Sequence, residues 1–294
     1  MRLGLVALAA ALLLTGCGLV RRPAPNTPSP RYVVGAAYKA DGTWFYPREQ
    51  FQLDTTGLAV VLPDRRGPTA DGEAYDGAAM AGAHPTVQLP AVARVTNFET
   101  GLQALIRIND RGPANPARLM GLTRHAADRL GIAPGTVARV RMQIEDGPSQ
   151  ALRDQLLGGA PGVSAAPRSA VMAEALPPPR GIAPSSRGRV LAGAQPATAA
   201  VAFVGPEALP DNATRVFADP GQLWLRAGEF GLARYAQQVQ SKLPGMGAFV
   251  ERVRQGRTDV FRVRAGPFAT VAQADSALDQ AMRAGVTDAR IAVE

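Results

Sequence analysis

The stretch I-R-I-N-D-R-G-P, Ile106 to Pro113, closes a segment that opens with T-A-D-G-E, Thr69 to Glu73, and passes through A-G-A-H-P, Ala81 to Pro85. From Leu102 to Asn109 aliphatic residues dominate, with apolar and polar residues alternating towards the end. That pattern predicts a β-strand with Leu105, Ile106 and Ile108 near a core. Gly112-Pro113 ends it. Asp110 is thereby placed where a rigid strand opens into a turn, with Asn109 and Arg111 on either side. A carboxyl group there responds to two influences: burial raises its pKa and a nearby guanidinium lowers it. Two readings stay open from the residues alone, a turn cap or ion pair and an acid/base group. Glu73 and His84 stand at the ends of the two upstream pieces. If Glu73 and Asp110 are close, their repulsion raises one pKa and leaves an acid available at neutral pH.

Six ordered pieces, Thr69 to Glu73, Ala83-His84, Leu89-Pro90, Val95 to Gly101, Ile108 to Pro113 and Arg118 to Gly131, resemble the rare lipoprotein A (RlpA) family. The resemblance spans roughly residues 56 to 145. It implies a six-stranded double-psi β-barrel and lytic transglycosylase activity on peptidoglycan glycan strands. In such a reaction no water attacks, because the 6-hydroxyl of N-acetylmuramic acid closes a 1,6-anhydro ring. One acid/base group then suffices, and the resemblance gives that role to Asp110, with Glu73 and His84 positioning the sugar or tuning Asp110. Tyr75, Asn109 and Arg111 are the substrate-binding candidates. Neither a cofactor nor a metal is implied. The chain departs from the family at Val60, Leu62 and Gly121, where Ser, Tyr and Asp are usual, and Tyr75 is a candidate replacement for the lost ring. His84 precedes Pro85, which favours an extended backbone; it reads either as a substrate or proton-transfer residue near neutral pH or as a satisfied structural residue. His125 falls in the first turn of a short helix capped by Thr123 and ended by Gly131, at the surface or behind the site.

Residues 1–16 carry Arg2 and then an apolar run too short to span a bilayer, a signal-peptide pattern that ends in L-T-G-C. This resembles a lipobox, implying a diacylglycerol on Cys17, the only cysteine of the chain. By lipoprotein sorting rules Gly18 implies delivery to the outer membrane, facing the periplasm. Residues 17–31 form a Pro-rich tether. Residues 32–146 are the barrel with an aromatic N-terminal extension, read either as a sugar-stacking platform or as packing on the barrel. Residues 147–213 are dominated by Ala, Pro, Gly and Ser and read as a flexible, disordered linker.

Residues 214–294 recover order as βαββαβ, a ferredoxin-like layer. Leu223 to Ala227, Phe249 to Val253, Val260 to Ala265 and Ala289 to Val293 read as strands, with a second helix capped by Thr270. With R-A-G-E-F at Arg226 to Phe230 and F-R-V-R-A-G-P-F at Phe261 to Phe268, this part resembles a SPOR domain. That resemblance implies binding of glycan strands stripped of stem peptides at division sites, through the exposed sheet face, with Arg226, Phe230, Arg262 and Phe268 as candidates. Arg226 and Glu229 stand where Gln and Ser are usual. An RNA-binding domain of the same topology is disfavoured because the leader exports the chain, so no nucleic-acid partner is expected.

The formal net charge is +8, and removing residues 1–16 takes away one Arg and no acid, leaving +7. That suits anionic envelope polymers. The expected function is therefore a lytic transglycosylase directed to division sites, with divisome proteins as possible partners. The alternatives are a non-catalytic septal glycan-binding lipoprotein and an expansin-like loosening protein.

Overall fold

A computed structural model describes residues 28–158 and 209–294. The leader, Cys17, most of the tether and the central part of the expected linker lie outside the described residues. Among the described residues no helix is long and apolar enough to cross a membrane.

An extension precedes the barrel. Its hairpin pairs β1 (Tyr38–Ala40) with β2 (Thr43–Phe45) through Asp41-Gly42. Both turn residues have positive φ, 45° and 79°, as a type I′ turn demands. Tyr38 and Phe45 stack at 5.4 Å, and Tyr38 donates to the Pro85 carbonyl at 3.0 Å. Packing on the barrel is thus one role of the extension, yet Trp44 and Tyr46 remain exposed.

The barrel consists of β3 (Asp54–Val61), β4 (Ala81–Ala83), β5 (Ala91–Asn97), β6 (Leu102–Asp110), β7 (Met120–Leu122) and β8 (Val137–Ile144). The order is β4-β7-β3-β8-β5-β6, and a parallel β4–β6 pairing closes the ring. β3–β7 is the second parallel pair and the rest are antiparallel. This is the six-stranded double-psi barrel, and its closure leaves no unpaired edge within the ring. Leu89, Ile106, Ile108, Met120, Leu122, Val140 and Met142 fill the interior with no exposure; Leu105 packs partly buried against them. Between β7 and β8, helix α1 (Arg124–Arg129) starts at Thr123, whose hydroxyl accepts from the Ala126 amide.

A helix lies where linker was expected. α2 (Asp146–Leu156) buries Leu152, and its Ser149 hydroxyl accepts from the Val92 amide at 3.0 Å. Gly147-Pro148 suggests a break, but Pro148 sits in the first turn, where its missing N–H has no helical partner to lose. Leu209 is buried in the barrel core, and β9 (Thr214–Arg215) pairs with β6, so these residues join the barrel and not the C-terminal unit.

That unit comprises β10 (Leu223–Phe230), α3 (Ala233–Gln240), β11 (Phe249–Gln255), β12 (Thr258–Phe268), α4 (Val271–Arg283) and β13 (Arg290–Val293). The sheet order β11-β12-β10-β13 is all antiparallel, the ferredoxin-like arrangement. Thr270 caps α4 by accepting from the Gln273 amide. Leu225, Val263, Ala274, Leu278 and Ile291 form its core, and Leu58 and Ala117 of the barrel join the same cluster. The barrel meets β13 and α4: Thr56 Oγ donates to the Val293 carbonyl at 2.7 Å and accepts from its amide at 3.0 Å. Arg118 grips Asp275 with two bonds of 2.7 and 2.9 Å.

Candidate active site

The turn Thr69 to Glu73 folds against the end of β6. The Thr69 amide donates to the Glu73 carbonyl at 2.8 Å and the Asp71 amide to the Asn109 carbonyl at 3.3 Å. Gly72 is required: its φ is 91°, and a Cβ there would lie 2.3 Å from the Ser29 carbonyl oxygen. Arg107 and Asn109, two apart on β6, share a face and both reach Glu73. Arg107 Nε donates to Oε1 at 2.9 Å, its Nη2 closes the ion pair, and Asn109 Nδ2 donates to Oε2 at 2.8 Å. The other carboxyl of the turn, Asp71, is fully buried. Its Oδ1 accepts from the Thr69 hydroxyl at 2.6 Å and the Glu73 amide at 3.1 Å, while Oδ2 has no partner among the described residues. Burial, joined by the Glu73 charge, pushes its pKa up to about 6 despite the Thr69 bond. The Glu73 charge thus acts on its neighbour in the turn, Asp71.

Asp110 ends β6. Its Oδ1 accepts from the Ala70 and Arg111 amides, both at 2.9 Å, and Oδ2 pairs with Arg65. The Arg65 guanidinium lies 5.0 Å from the centroid of the Tyr75 ring, and Tyr75 Oη reaches the Pro63 carbonyl at 3.4 Å.

Main-chain bonding brings His84 to the same place, its amide donating to the Asp110 carbonyl at 3.1 Å. The ring, however, is locked in: Nδ1 accepts from the Thr86 and Val87 amides, each at 3.1 Å. Burial, with the Arg111 charge, lowers its pKa to about 3. This setting favours the neutral imidazole at physiological pH, with its proton on Nε2. Arg111 likewise turns inward. Its guanidinium donates to the carbonyls of Val34 (2.7 Å), Val87 (2.5 Å) and His84 (3.3 Å), so it clamps the extension to the barrel.

A cleft of about 530 Å³ is lined by Glu73, Tyr75, Arg107, Asn109, Thr123 and His125. It shares Tyr75, Asp76, Ala78 and His125 with a second cleft of about 850 Å³ that Arg65 also lines. His125 is held by Asp211, 2.7 Å from its Nε2.

The departures at Leu62 and Gly121 are one packing event. A Cβ at residue 121 would lie 2.3 Å from Leu62 Cδ2 and 2.7 Å from its Cγ. Leu62 occupies the space that a side chain at 121 would need.

On the C-terminal sheet, the face away from the helices carries Trp224, Arg226, Phe249, Arg262 and Arg264. Arg264 lies over Trp224 at 4.2 Å, and Trp224 meets Phe249 edge-on at 6.0 Å. Arg226 pairs with Glu294 and Arg262 with Glu229, each through a 2.7 Å bond. Phe230 and Phe268 are partly buried and pack against the domain core. Sequence reasoning missed Trp224, Phe249 and Asp71; the alternation in L-W-L-R marks Trp224 as lying on the opposite face from Leu223 and Leu225.

The two Asp71 and His84 shifts oppose each other in acid. His84 has a folded pKa below its unfolded value near 6.5, so the unfolded state binds more protons from pH 6.5 down to 3 and stability falls as pH falls. Asp71 has a raised folded pKa, so between about 6 and the usual carboxyl value near 4 the native state binds more protons and stability rises as pH falls. The larger His84 shift wins, and Asp71 blunts it. Asp71→Asn is expected to lose thermal stability more steeply than wild type between pH 6 and 4, as read by calorimetry across pH. Parallel pH profiles for the two proteins would show that Asp71 does not titrate there.

Residues 43–142 match the family model described as lytic transglycolase, and residues 219–292 match the SPOR domain model. The chain is 35% identical over 210 residues to the endolytic peptidoglycan transglycosylase RlpA of Pseudomonas aeruginosa, covering 68% of this chain and 58% of that protein. It is 38% identical over 110 residues to the RlpA of Yersinia pestis (36% and 31% covered) and 38% over 106 residues to that of Escherichia coli K12 (35% and 29% covered). The matched part is thus between about three tenths and three fifths of these relatives' own length. Barrel and sheet together define a double-psi barrel protein of the lytic transglycolase type with a C-terminal SPOR domain. These two matches, in this order, and the likeness to three RlpA proteins are what the chain shares with known proteins.

Proposed function

We propose that this protein cleaves peptidoglycan glycan strands by intramolecular transglycosylation, with Asp110 as the acid/base. The observation that carries this reading is the placement of Asp110: Oδ1 is fixed by two main-chain amides, and Oδ2 is covered by an Arg65 side chain that is 38% exposed beside the Tyr75 cleft. A proton donor cannot keep a guanidinium on the donating oxygen. Binding of a strand along Tyr75 displaces Arg65 and frees Oδ2. Asp110 then protonates the glycosidic oxygen as the bond to C1 breaks, and the leaving sugar departs with that proton. The resulting carboxylate takes the proton of the 6-hydroxyl as that oxygen attacks C1, closing the 1,6-anhydro ring without water. Glu73 and Asn109 position the sugar from the neighbouring cleft, while His84 and Arg111 hold the frame.

The SPOR sheet face, through Arg226, Arg262 and Trp224, delivers the enzyme to strands lacking stem peptides. Cys17, lipidated, anchors it to the outer membrane facing the periplasm, near the divisome. As domains, we assign α2 and residues 209–215 to the barrel unit and 219–294 to SPOR. The non-catalytic glycan-binding alternative draws on Leu62, which fills the place of a second carboxylate at residue 121.

Mass spectrometry of products decides between them. Incubation of residues 18–294 with peptide-free glycan strands is expected to release fragments ending in 1,6-anhydro-N-acetylmuramic acid. Intact strands with binding retained would overturn the catalytic reading and leave the glycan-binding one.

A further inference from the structure

The ligand-facing side of the SPOR sheet does not stop at its edge strand. Phe249, Arg264, Arg226 and Arg290 stand directly opposite one another across β11, β12, β10 and β13 and form one transverse row. Past β13 the barrel is docked through Thr56 and Arg118. Between the two lies a groove of about 390 Å³ whose walls include Trp44, Tyr46, Arg48, His84, Arg226 and Arg290. It is distinct from the Glu73 clefts and reaches the barrel end where His84 joins the Asp110 main chain.

Two properties of this groove point to a ligand. The first is uncompensated charge. Arg226 has Glu294, but neither Arg48 nor Arg290 has a carboxylate within 4 Å among the described residues. Arg290 is exposed, yet it is crowded at the domain junction, and that desolvation, followed by Arg226, Arg262 and Arg48, lowers its pKa against the opposing charge of Glu229. Arg48 and Arg290 both stand exposed on the groove wall, where the four guanidiniums of Arg48, Arg118, Arg226 and Arg290 outnumber the two carboxylates, Asp54 and Asp288. The second is aromatic display. On β2 the strand alternation buries Phe45 and turns Trp44 outward, leaving it 55% exposed, with Tyr46 65% exposed beside it. Flat apolar rings next to unpaired guanidiniums match a sugar chain that bears carboxylates, because the rings cover sugar faces while the guanidiniums take the acid.

We propose that this junction groove is a binding subsite for a carboxylate-bearing glycan strand, Arg48 and Arg290 holding the carboxylate and Trp44 and Tyr46 the sugar face. One strand then runs from the SPOR sheet across the junction to the barrel. The inference rests on the proposed glycan substrate and adds where that substrate is held. A strand freed of its peptides exposes the lactyl carboxylate of each N-acetylmuramic acid, which supplies the negative partner.

The test is isothermal titration of residues 18–294 carrying Asp110→Asn, which prevents consumption of the ligand. The probes are short peptide-free glycan strands and chito-oligosaccharides of equal length, which lack the lactyl carboxylate. The parent protein is expected to prefer the carboxylated strand, with a preference that weakens as salt rises. Arg48→Gln with Arg290→Gln is expected to lower affinity for that strand about tenfold, the scale of hydrogen bonds to a charged group. The same pair is expected to leave chito-oligosaccharide binding unchanged. Trp44→Ala is expected to weaken both ligands. A double variant that binds the carboxylated strand as tightly as its parent, or a Trp44→Ala protein that binds both ligands normally, would overturn the subsite and leave the proposed activity standing. A parent that binds neither probe would overturn the proposed substrate itself. Equal melting curves for parent and variants, measured alongside, tie any loss to the groove.

Discussion

Asp110→Asn is expected to lower the rate of anhydro-end release at least 100-fold, on the proposed mechanism, while leaving strand binding and the barrel intact. The amide side chain keeps an Oδ1 that accepts from Ala70 and Arg111, so the strand end retains its two anchoring bonds. What is lost is the pair with Arg65, whose side chain is 38% exposed; pairs of that kind contribute about 0 to 1 kcal/mol. Positioned general acids and bases contribute about 10² to 10⁴-fold, so the kinetic effect far exceeds any effect on folding. The measurement is the initial rate of anhydro-end formation by mass spectrometry, with binding followed in parallel. A variant within tenfold of wild type would remove Asp110 from the chemistry. A companion change, Arg65→Ala, uncovers Oδ2 and separates a covering role for Arg65 from an essential one.

Glu73→Ala is expected to be the most destabilising single change at the site. Glu73 and Arg107 are 15% and 12% exposed, and Arg107 Nη1 already lacks a partner among the described residues. Removing the carboxylate leaves a buried guanidinium with no compensating charge, a change that costs about 3 to 5 kcal/mol. Asn109 loses its acceptor as well. For a domain of this size the melting temperature should fall by roughly 10 °C or more. Adding Arg107→Met should recover most of that loss, because replacing both members of a buried pair by apolar groups is often near neutral. Calorimetry on the two variants provides the check, and an unchanged midpoint for Glu73→Ala would mean the pair is effectively solvated.

The parts of the fold that were legible in the sequence are those with a local cause. β6 announces itself by aliphatic alternation and a Gly-Pro stop, and Thr123 and Thr270 mark helix starts by the acceptors they provide. The order of elements in the C-terminal unit follows from periodicity alone. β4 was not legible, since three residues of A-G-A have no measurable period, and the ring closes through that strand. Phe230 and Phe268 turn towards the core side because the pairing of β10 and β12 shifts register between Arg226 and Glu229 and between Leu223 and Leu225. A shifted register reverses which face a residue occupies. Asp71 reads as an ordinary turn residue because its burial is imposed by β6 and by the segment around Ser29, both distant in the chain. Arg111 reads as a partner for its neighbour Asp110, yet a long side chain can cross a turn, and here it collects carbonyls from the extension. The exchange of ring and carboxylate for Leu62 and Gly121 looks like two losses in sequence; only the parallel pairing of β3 with β7 makes them one compensated substitution.

On the proposed activity, the contacts of Thr56 with Val293 and of Arg118 with Asp275 bear on how far apart gripping and cutting take place. Two modules joined only by a tether would sample a volume set by the tether's length, and the site of cleavage relative to the site of attachment would be broadly distributed. Docked modules share one frame. The offset between hold and cut is then a property of the interface, counted in sugar units along the strand, and lengthening the connecting segment changes neither that offset nor the local concentration of one site at the other.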